Sequence, residues 1–174
     1  MILPQTEWVQ PKEYPDLRQA DEIAIDLETR DPNLKKLGSG SVIGAGEVVG
    51  IAVAVDGWSG YFPIAHGSGP NMDRKRTLEW FQDTLNTKAI KIFHNAMYDV
   101  CWIKQMGLKI QGLIVDTMIA ASLVDENRFR YDLNSVAQHY TGMGKNESAL
   151  QEAAKEWGVS QSRSIVDLDV LFLF

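Results

Sequence analysis

The sequence predicts an α/β sandwich built on a mixed sheet, and three observations lead to that fold class. Three apolar segments with strand character occupy the first half, and the Asp56-Gly57 hairpin signal separates the second from the third. Beyond residue 70, helical patterns alternate with short apolar strands, which is typical of a sheet flanked by helices. The 174 residues suffice for one domain with a real core, and hardly for two.

An irregular lead-in over residues 1–20 is followed by the first three strands. The first is Glu22–Glu28, where apolar residues dominate. Residues 30–46 are rich in glycine and polar residues and predict a loop. The segments EVVGIAVAVDG (47–57) and WSGYFPIAH (58–66) supply the next two strands, which should pair antiparallel across the hairpin turn.

The second half is expected to alternate helices with two further strands. A helix follows a cap at Asn71 or Asp73, and KAIKIFHNA (88–96) is the fourth strand. The remaining predicted elements are a helix over 95–106, a fifth strand in LIVDT (113–117), a helix from Asp116 to Leu123, and helical segments over 131–142 and 145–158. We therefore expect one domain over residues 21–160, followed by a divergent or truncated tail over 161–174.

The composition narrows the class of protein without fixing the partner. Hydrophobic residues make up 45% and charged residues 23%, as in ordinary globular proteins. No apolar run approaches the ~20 residues of a membrane span, so no membrane partner is expected. Cys101 is the one cysteine, which excludes an internal disulfide and fits a reducing interior. The net charge of -6 argues weakly against nonspecific electrostatic binding of nucleic acid. It is nevertheless compatible with acidic residues that hold metal ions.

Acidic side chains stand at the ends of two predicted strands. Asp26 and Glu28 are two residues apart in a strand, so they share one face. Asp99 follows His94 and Asn95, where the fourth strand gives way to a helix. If these strands are neighbours, the three carboxylates form an acidic pocket that suits Mg²⁺ or Mn²⁺. Two such ions about 4 Å apart can assist phosphodiester cleavage.

Purely structural interpretations of the same residues remain open at this point. The two strand carboxylates could form a solvated rim, and Asp99 could be an exposed helix residue. His94 could be a hydrogen-bonded structural histidine rather than a ligand. The joint occurrence of these residues on successive elements is what favours metal-dependent phosphoryl chemistry.

Three segments resemble the proofreading 3′–5′ exonuclease domain of family A DNA polymerases. They are DLET (26–29), HNAMYD (94–99) and DTMIAASLVDENRFRYDLNSVAQHYTGMGKNE (116–147), and the similarity runs from about Glu22 to Trp157. This is the DEDD exonuclease group. The resemblance implies an RNase H-like sandwich, with a five-stranded mixed sheet and helices on both faces. It also implies two divalent metal ions, Mg²⁺ or Mn²⁺, as cofactors.

The resemblance also implies roles for individual residues. Asp26 would bridge both ions, Glu28 would bind the ion that activates water, and Asp99 would hold the second ion. Thr29 and Asn95 would contact the terminal nucleotide. Two further positions follow from the same comparison: His66, which would lie near the substrate, and Asp116, which we expect to cap a helix rather than bind metal.

The family's third motif, a tyrosine followed four residues later by aspartate, does not occur at any of the five tyrosines. The segment IVDLD (165–169) could be a degenerate form of it, with Asp169 as a possible fourth acid. We expect instead a truncated or divergent chain, with a change of reading frame near Ser160 as one origin. Loss of such a group typically costs about 10²- to 10⁴-fold in rate.

Single-stranded DNA needs cations and stacking surfaces around an acidic centre. Arg128 and Arg130, which flank Phe129, are the favoured contacts; Lys35, Lys36 and Lys145 are further candidates. The leading hypothesis is an enzyme that removes nucleotides from DNA 3′ ends, associated with a family A polymerase domain. The alternatives are a catalytically impaired module that binds DNA ends and an RNA-processing 3′–5′ exonuclease. The expected location is the cytoplasm of a bacterial or phage-infected bacterial cell.

Overall fold

A five-stranded mixed sheet in the order β3-β2-β1-β4-β5 forms the centre of the computed structural model, which describes residues 9–67 and 69–144. The strands are β1 (Glu22–Arg30), β2 (Glu47–Val55), β3 (Trp58–Pro63), β4 (Ile90–Phe93) and β5 (Ile114–Asp116). β1 pairs antiparallel with β2 and parallel with β4, β2 pairs antiparallel with β3, and β4 pairs parallel with β5. The predicted mixed sheet and the predicted hairpin are confirmed.

The helices follow the predicted order, with two additions. They are α1 (Leu34–Leu37), α2 (Gly40–Ile43), α3 (Arg74–Leu85), α4 (Ala96–Gln105), α5 (Thr117–Val124) and α6 (Leu133–Thr141). The segment predicted as a plain loop therefore contains two single-turn helices, α1 and α2. Asp73 is the cap of α3, since its side chain accepts the Arg76 N–H. The helical segment predicted over 145–158 and the tail over 161–174 lie outside the described residues.

One face of the sheet carries the hydrophobic core. Ile23, Ile25 and Leu27 alternate along β1 and are all buried, as a strand with one covered face requires. They pack with residues of α3 and α4, namely Phe81, Leu85, Trp102 and Ile103. This burial fixes the register of β1, because a slip of one residue would exchange its faces.

The opposite face of the sheet borders an open cavity of about 990 Å³. The β1 residues on this face are Ala24, Asp26 and Glu28, and Ala52 of β2 lies opposite Asp26. Thr117, at the start of α5, and Leu133, at the start of α6, also line the cavity. Helices therefore flank both faces of the sheet, and the acidic residues lie on the less covered one.

The end of the lead-in is tied to α3 by side-chain hydrogen bonds. The Tyr14 hydroxyl lies 2.8 Å from the Thr77 Oγ1 atom, and the Trp80 indole N–H donates to the Pro15 carbonyl at 2.8 Å. Tyr14 also stacks on Phe62 of β3, with ring centroids 5.8 Å apart. Within the ranges described, none of the helices combines the length and the apolar character needed to cross a membrane.

Candidate active site

The end of β1 presents Asp26 and Glu28 on the cavity side of the sheet. Asp26 is half-buried and Glu28 is exposed, whereas Leu27 between them is buried in the core. Directly after Glu28 the pairing with β2 shifts: Glu28 lies opposite Gly50, but Thr29 lies opposite Val48, so Val49 is skipped. A bulge of this kind bends a strand and redirects the side chains beside it, and such bulges are frequent next to active sites.

Asp99 reaches β1 at the point where β1 and β4 part. The parallel pairing of these strands ends at Ala24 and Ile92, so β4 does not pair with the Leu27 N–H. The buried Asp99 carboxylate accepts that N–H at 3.0 Å. The first turn of α4 therefore holds Asp99 against the backbone link between Asp26 and Glu28, which brings the three predicted acids to one place.

Three negative charges are electrostatically disfavoured at this end of β1. Burial is the main cause that raises the pKa of Asp99 to about 7, and the charges of Asp26 and then Glu28 raise it further, while the Leu27 N–H acts in the opposite sense. A bound cation would remove this penalty. The carboxylate oxygens are the hard donors that Mg²⁺ and Mn²⁺ prefer, so the residues present fit such ions.

The carboxylates are not already gathered as a closed ligand set. Within residues 9–67 and 69–144, no three Asp, Glu, His or Cys side chains form a group that could hold a metal ion as they stand. One carboxylate oxygen of Asp99 instead accepts a hydrogen bond from the Leu27 N–H. Ion binding at this site would therefore require the side chains of these acids to rotate toward a shared ion.

Asp116 joins two helix starts and is the cap that the sequence predicted. Its side chain accepts the N–H groups of Met118 and Ile119 in α5, and also those of Asn95 and Ala96 at the start of α4. Although burial raises the pKa of Asp116, these four N–H groups outweigh burial, and the pKa lies below its ordinary value. The Asp116 carboxylate therefore fixes the position of the Asn95 backbone through hydrogen bonds.

Asn95 adopts the left-handed conformation, with φ of 63°, and is the one non-glycine residue of the described chain that does so. Its side chain makes no capping bond to α4 and is exposed. The neighbouring His94 Nδ1 lies 2.9 Å from Thr117 Oγ1, which itself donates to the Phe93 carbonyl. Because a hydroxyl has one hydrogen, His94 must donate from Nδ1, which matches the structural interpretation of this histidine.

Thr29, the residue after Glu28, is held by Tyr98 of α4. Its Oγ1 lies 2.7 Å from the Tyr98 hydroxyl, which also approaches Asp31 Oδ2 at 3.5 Å. Asp31 is buried and accepts the Gly40 N–H at 2.8 Å, so it fixes the α1–α2 loop to the end of β1. The Thr29 side chain thus lies beside the acids in an orientation set by Tyr98.

His66 lies just beyond β3 and is tied to Tyr61, a residue that the sequence analysis did not assign to the site. The Tyr61 hydroxyl is 2.5 Å from His66 Nε2. Asn71 holds the His66 backbone, since it accepts the His66 N–H and donates to the His66 carbonyl, both at 2.8 Å. Strand alternation was the available signal, because Tyr61 pairs with Ala52, which pairs with Asp26.

The predicted DNA-contacting arginines lie in the connection between α5 and α6. Arg128 donates to the Ser135 carbonyl at 3.1 Å and lies over the Tyr140 ring at 5.7 Å. Arg130 pairs with Asp132 at 2.9 Å, on the surface, and Phe129 between the arginines is fully exposed. Contact of either arginine with DNA stays a prediction. Lys35 and Lys36 lie on α1, whereas Lys145 and Asp169 fall outside the described residues.

Comparison with known proteins gives a consistent result. Residues 12–166 match the family model described as the 3′–5′ exonuclease of family A DNA polymerases. A DNA-directed DNA polymerase of Pseudomonas phage M6 is 31% identical over 97% of this chain, and DNA polymerase I of Pseudomonas aeruginosa is 29% identical over 72%. The matches cover 26% and 14% of those two proteins, so the chain spans only a fraction of their length.

Solved structures agree on the fold. NrnC of Brucella melitensis with bound Mg²⁺ superimposes with a TM-score of 0.54 and 18% identity, over 89% of this chain and 85% of that one. The catalytic core of RRP6 from Trypanosoma brucei, in a C496S mutant, gives 0.55 and 20% identity over 88% and 40%. At such identities the likeness establishes the RNase H-like fold predicted from the sequence.

Proposed function

Because the chain belongs to the 3′–5′ exonuclease family of the family A DNA polymerases, we propose that it removes nucleotides from the 3′ ends of DNA. The single observation that carries this proposal is the position of the Asp99 carboxylate. It lies on the Leu27 N–H, between the two acids of β1, and its charged form is disfavoured there without a cation. The family is generally dependent on two metal ions, and the acids offer the donors that such ions need.

The acids have separate roles in this proposal. Asp26 would be shared by two ions, and Glu28 and Asp99 would each contribute to one of them. Asp169 stays only a possible fourth acid, since it lies in the tail expected to be truncated or divergent. When bound, two divalent ions supply positive charge for the attacking and leaving oxygens of a phosphodiester. The chain's own contribution is to hold the carboxylates in register: β-sheet pairing fixes Asp26 and Glu28, and the Leu27 N–H fixes Asp99.

The terminal nucleotide of the DNA is the proposed partner of the residues around the acids. Thr29 is oriented by Tyr98, and Asn95 is exposed on a backbone that Asp116 holds. His66 is a further proposed contact, and Arg128 and Arg130 would meet the DNA backbone farther along the strand. The polymerase relatives support association with a family A polymerase domain. Their phage and bacterial origins support action in the cytoplasm of a bacterial or phage-infected cell.

Digestion of a 5′-labelled single-stranded DNA oligonucleotide tests this function. With Mg²⁺ or Mn²⁺ we expect a ladder of products shortened from the 3′ end, and with EDTA we expect none. Asp26→Ala should lower the rate by at least about 10²-fold, because it removes the acid shared by both ions. Asp83→Ala is the matched control, since Asp83 is an exposed acid on α3 and should leave the rate unchanged.

Two further arms separate the alternatives. A parallel RNA oligonucleotide should be digested more slowly than DNA; faster digestion of RNA would instead indicate an RNA-processing exonuclease. Binding of a fluorescent DNA end is measured with the same proteins. A folded chain that binds DNA ends but never shortens them, with either metal, would mean that the fold acts as a non-catalytic end-binding module.

A further inference from the structure

Tyr61 lies in a row with Asp26 across three neighbouring strands. Asp26 is opposite Ala52, and Ala52 is opposite Tyr61, so all three side chains project from the same face of the sheet. Although this face borders the open cavity, Tyr61 is only 3% exposed. Its ring must therefore lie along the sheet rather than stand out from it.

A glycine in β2 makes this orientation possible. A Cβ atom added at Gly50 would lie 1.7 Å from the Tyr61 hydroxyl oxygen, so the tyrosine occupies the space where another residue would have its side chain. Gly50 is the residue directly opposite Glu28 in β1. The Tyr61 hydroxyl therefore lies beside the β2 residue that pairs with Glu28, and paired strands lie about 4.8 Å apart.

His66 holds the other side of the same hydroxyl. Its Nε2 atom is 2.5 Å from the Tyr61 oxygen, and the Asn71 side chain clamps the His66 backbone on both its N–H and its carbonyl. Two proton arrangements satisfy this contact, because either atom can be the donor. Burial, and then the negative charges of Glu28 and Asp26, raise the pKa of the Tyr61 hydroxyl and disfavour its ionisation. Those charges attract the hydroxyl hydrogen and repel the oxygen lone pairs.

We propose that His66 donates from Nε2 to Tyr61, and that Tyr61 donates its hydroxyl hydrogen toward the Glu28 carboxylate and steadies it for divalent-ion binding. Tyr61 is thus a positioning residue for the metal site, and His66 acts through it. This inference rests on the proposed function. It also gives His66 an indirect role in metal binding, which is an alternative to the substrate contact proposed above.

Tyr61→Phe tests the hydroxyl while the buried ring stays in place. We measure Mn²⁺ affinity from the free-ion signal in electron paramagnetic resonance, without DNA, and then kcat and KM for a DNA oligonucleotide. We expect Mn²⁺ affinity to fall about 10- to 100-fold, as for other residues that orient metal ligands, with kcat lowered and KM unchanged. Tyr14→Phe is the matched control, because it removes a tyrosine hydroxyl bonded to Thr77 on the covered face and should leave Mn²⁺ affinity unchanged.

His66 variants separate the two roles of the histidine. If His66 acts through Tyr61, His66→Phe weakens Mn²⁺ binding like Tyr61→Phe, and His66→Gln, which keeps an N–H donor, restores part of it. If His66 contacts DNA instead, His66→Phe raises KM for DNA and leaves Mn²⁺ affinity intact. These variants also provide the test should Tyr61→Phe fail to fold.

The outcomes distinguish a failure of this inference from a failure of the proposed exonuclease function. Wild-type chain that binds Mn²⁺ and digests DNA, together with Tyr61→Phe or His66→Phe of undiminished Mn²⁺ affinity, overturns the positioning role and leaves the exonuclease intact. A wild-type chain whose Mn²⁺ binding survives Asp26→Ala, or that binds none, overturns the proposed metal site and this inference with it.

Discussion

Asp99 lies where burial and two neighbouring carboxylates disfavour its charged form. An unfolded aspartate has a pKa near 3.8, whereas burial is the main cause that raises the pKa of Asp99 in the folded chain to about 7. Between these values the unfolded state binds fewer protons, so the free energy of unfolding must decrease as pH rises. This decrease in the free energy of unfolding should be complete above the pKa of Asp99 in the folded chain. A divalent ion should reverse it, because the ion stabilises the ionised carboxylate.

We therefore predict that thermal unfolding in EDTA occurs at a lower temperature at about pH 8 than at about pH 5. Asp99→Asn should weaken this dependence, since asparagine can still accept the Leu27 N–H but cannot ionise. Differential scanning calorimetry of both proteins across this range is the measurement. An equally steep pH dependence in Asp99→Asn would show that other groups cause it.

Asp116 gives a second prediction at the level of one residue. It accepts N–H groups from the starts of both α4 and α5, so Asp116→Ala leaves two helix ends without their cap. Loss of a cap typically costs about 1 kcal/mol, so we expect the free energy of unfolding to fall by about 2 kcal/mol. Urea denaturation beside the Asp83→Ala control checks this value. A loss no greater than that of the control would contradict the double cap.

At the scale of elements, the loop formed by α1 and α2 is held to β1 by close packing around Gly40. Asp31 accepts the Gly40 N–H, and a Cβ atom at Gly40 would lie 1.8 Å from the Ala45 carbonyl oxygen. Because a backbone atom cannot move aside cheaply, Gly40→Ala should displace the loop and cost about 1 to 3 kcal/mol. Urea denaturation and limited proteolysis measure the effect. Val42→Ala, on an exposed side chain of the same loop, is the control.

The elements that the sequence predicted well are those with local patterns. The alternation of Ile23, Ile25 and Leu27 identifies β1, and Asp56-Gly57 identifies the hairpin. The α1 and α2 turns were missed because four-residue helices carry no periodicity. The Tyr61 orientation was missed because it depends on Gly50, which becomes its neighbour only when the strands pair. The double cap by Asp116 likewise joins groups about 20 residues apart in sequence.

At the scale of the whole molecule, the two faces of the sheet have different roles, one in stability and one in the proposed chemistry. One face is filled by core residues of α3 and α4, while the other borders a cavity and carries the acids. The predicted meeting of Asp26, Glu28 and Asp99 depended on β1 and β4 being neighbours, which the strand order provides. The long-range pairing of these strands, more than any single motif, builds the candidate metal site.

Counting bound Mn²⁺ ions tests the central claim most directly. We predict that the wild-type chain binds two ions, that Asp99→Asn loses one of them, and that Asp26→Ala loses both, because Asp26 is proposed to bridge them. Titration at about pH 8 keeps Asp99 ionised in the wild type. Asp83→Ala should bind as many ions as the wild type. An unchanged ion count in Asp26→Ala would contradict the account, since the acids of β1 would then not hold the metal.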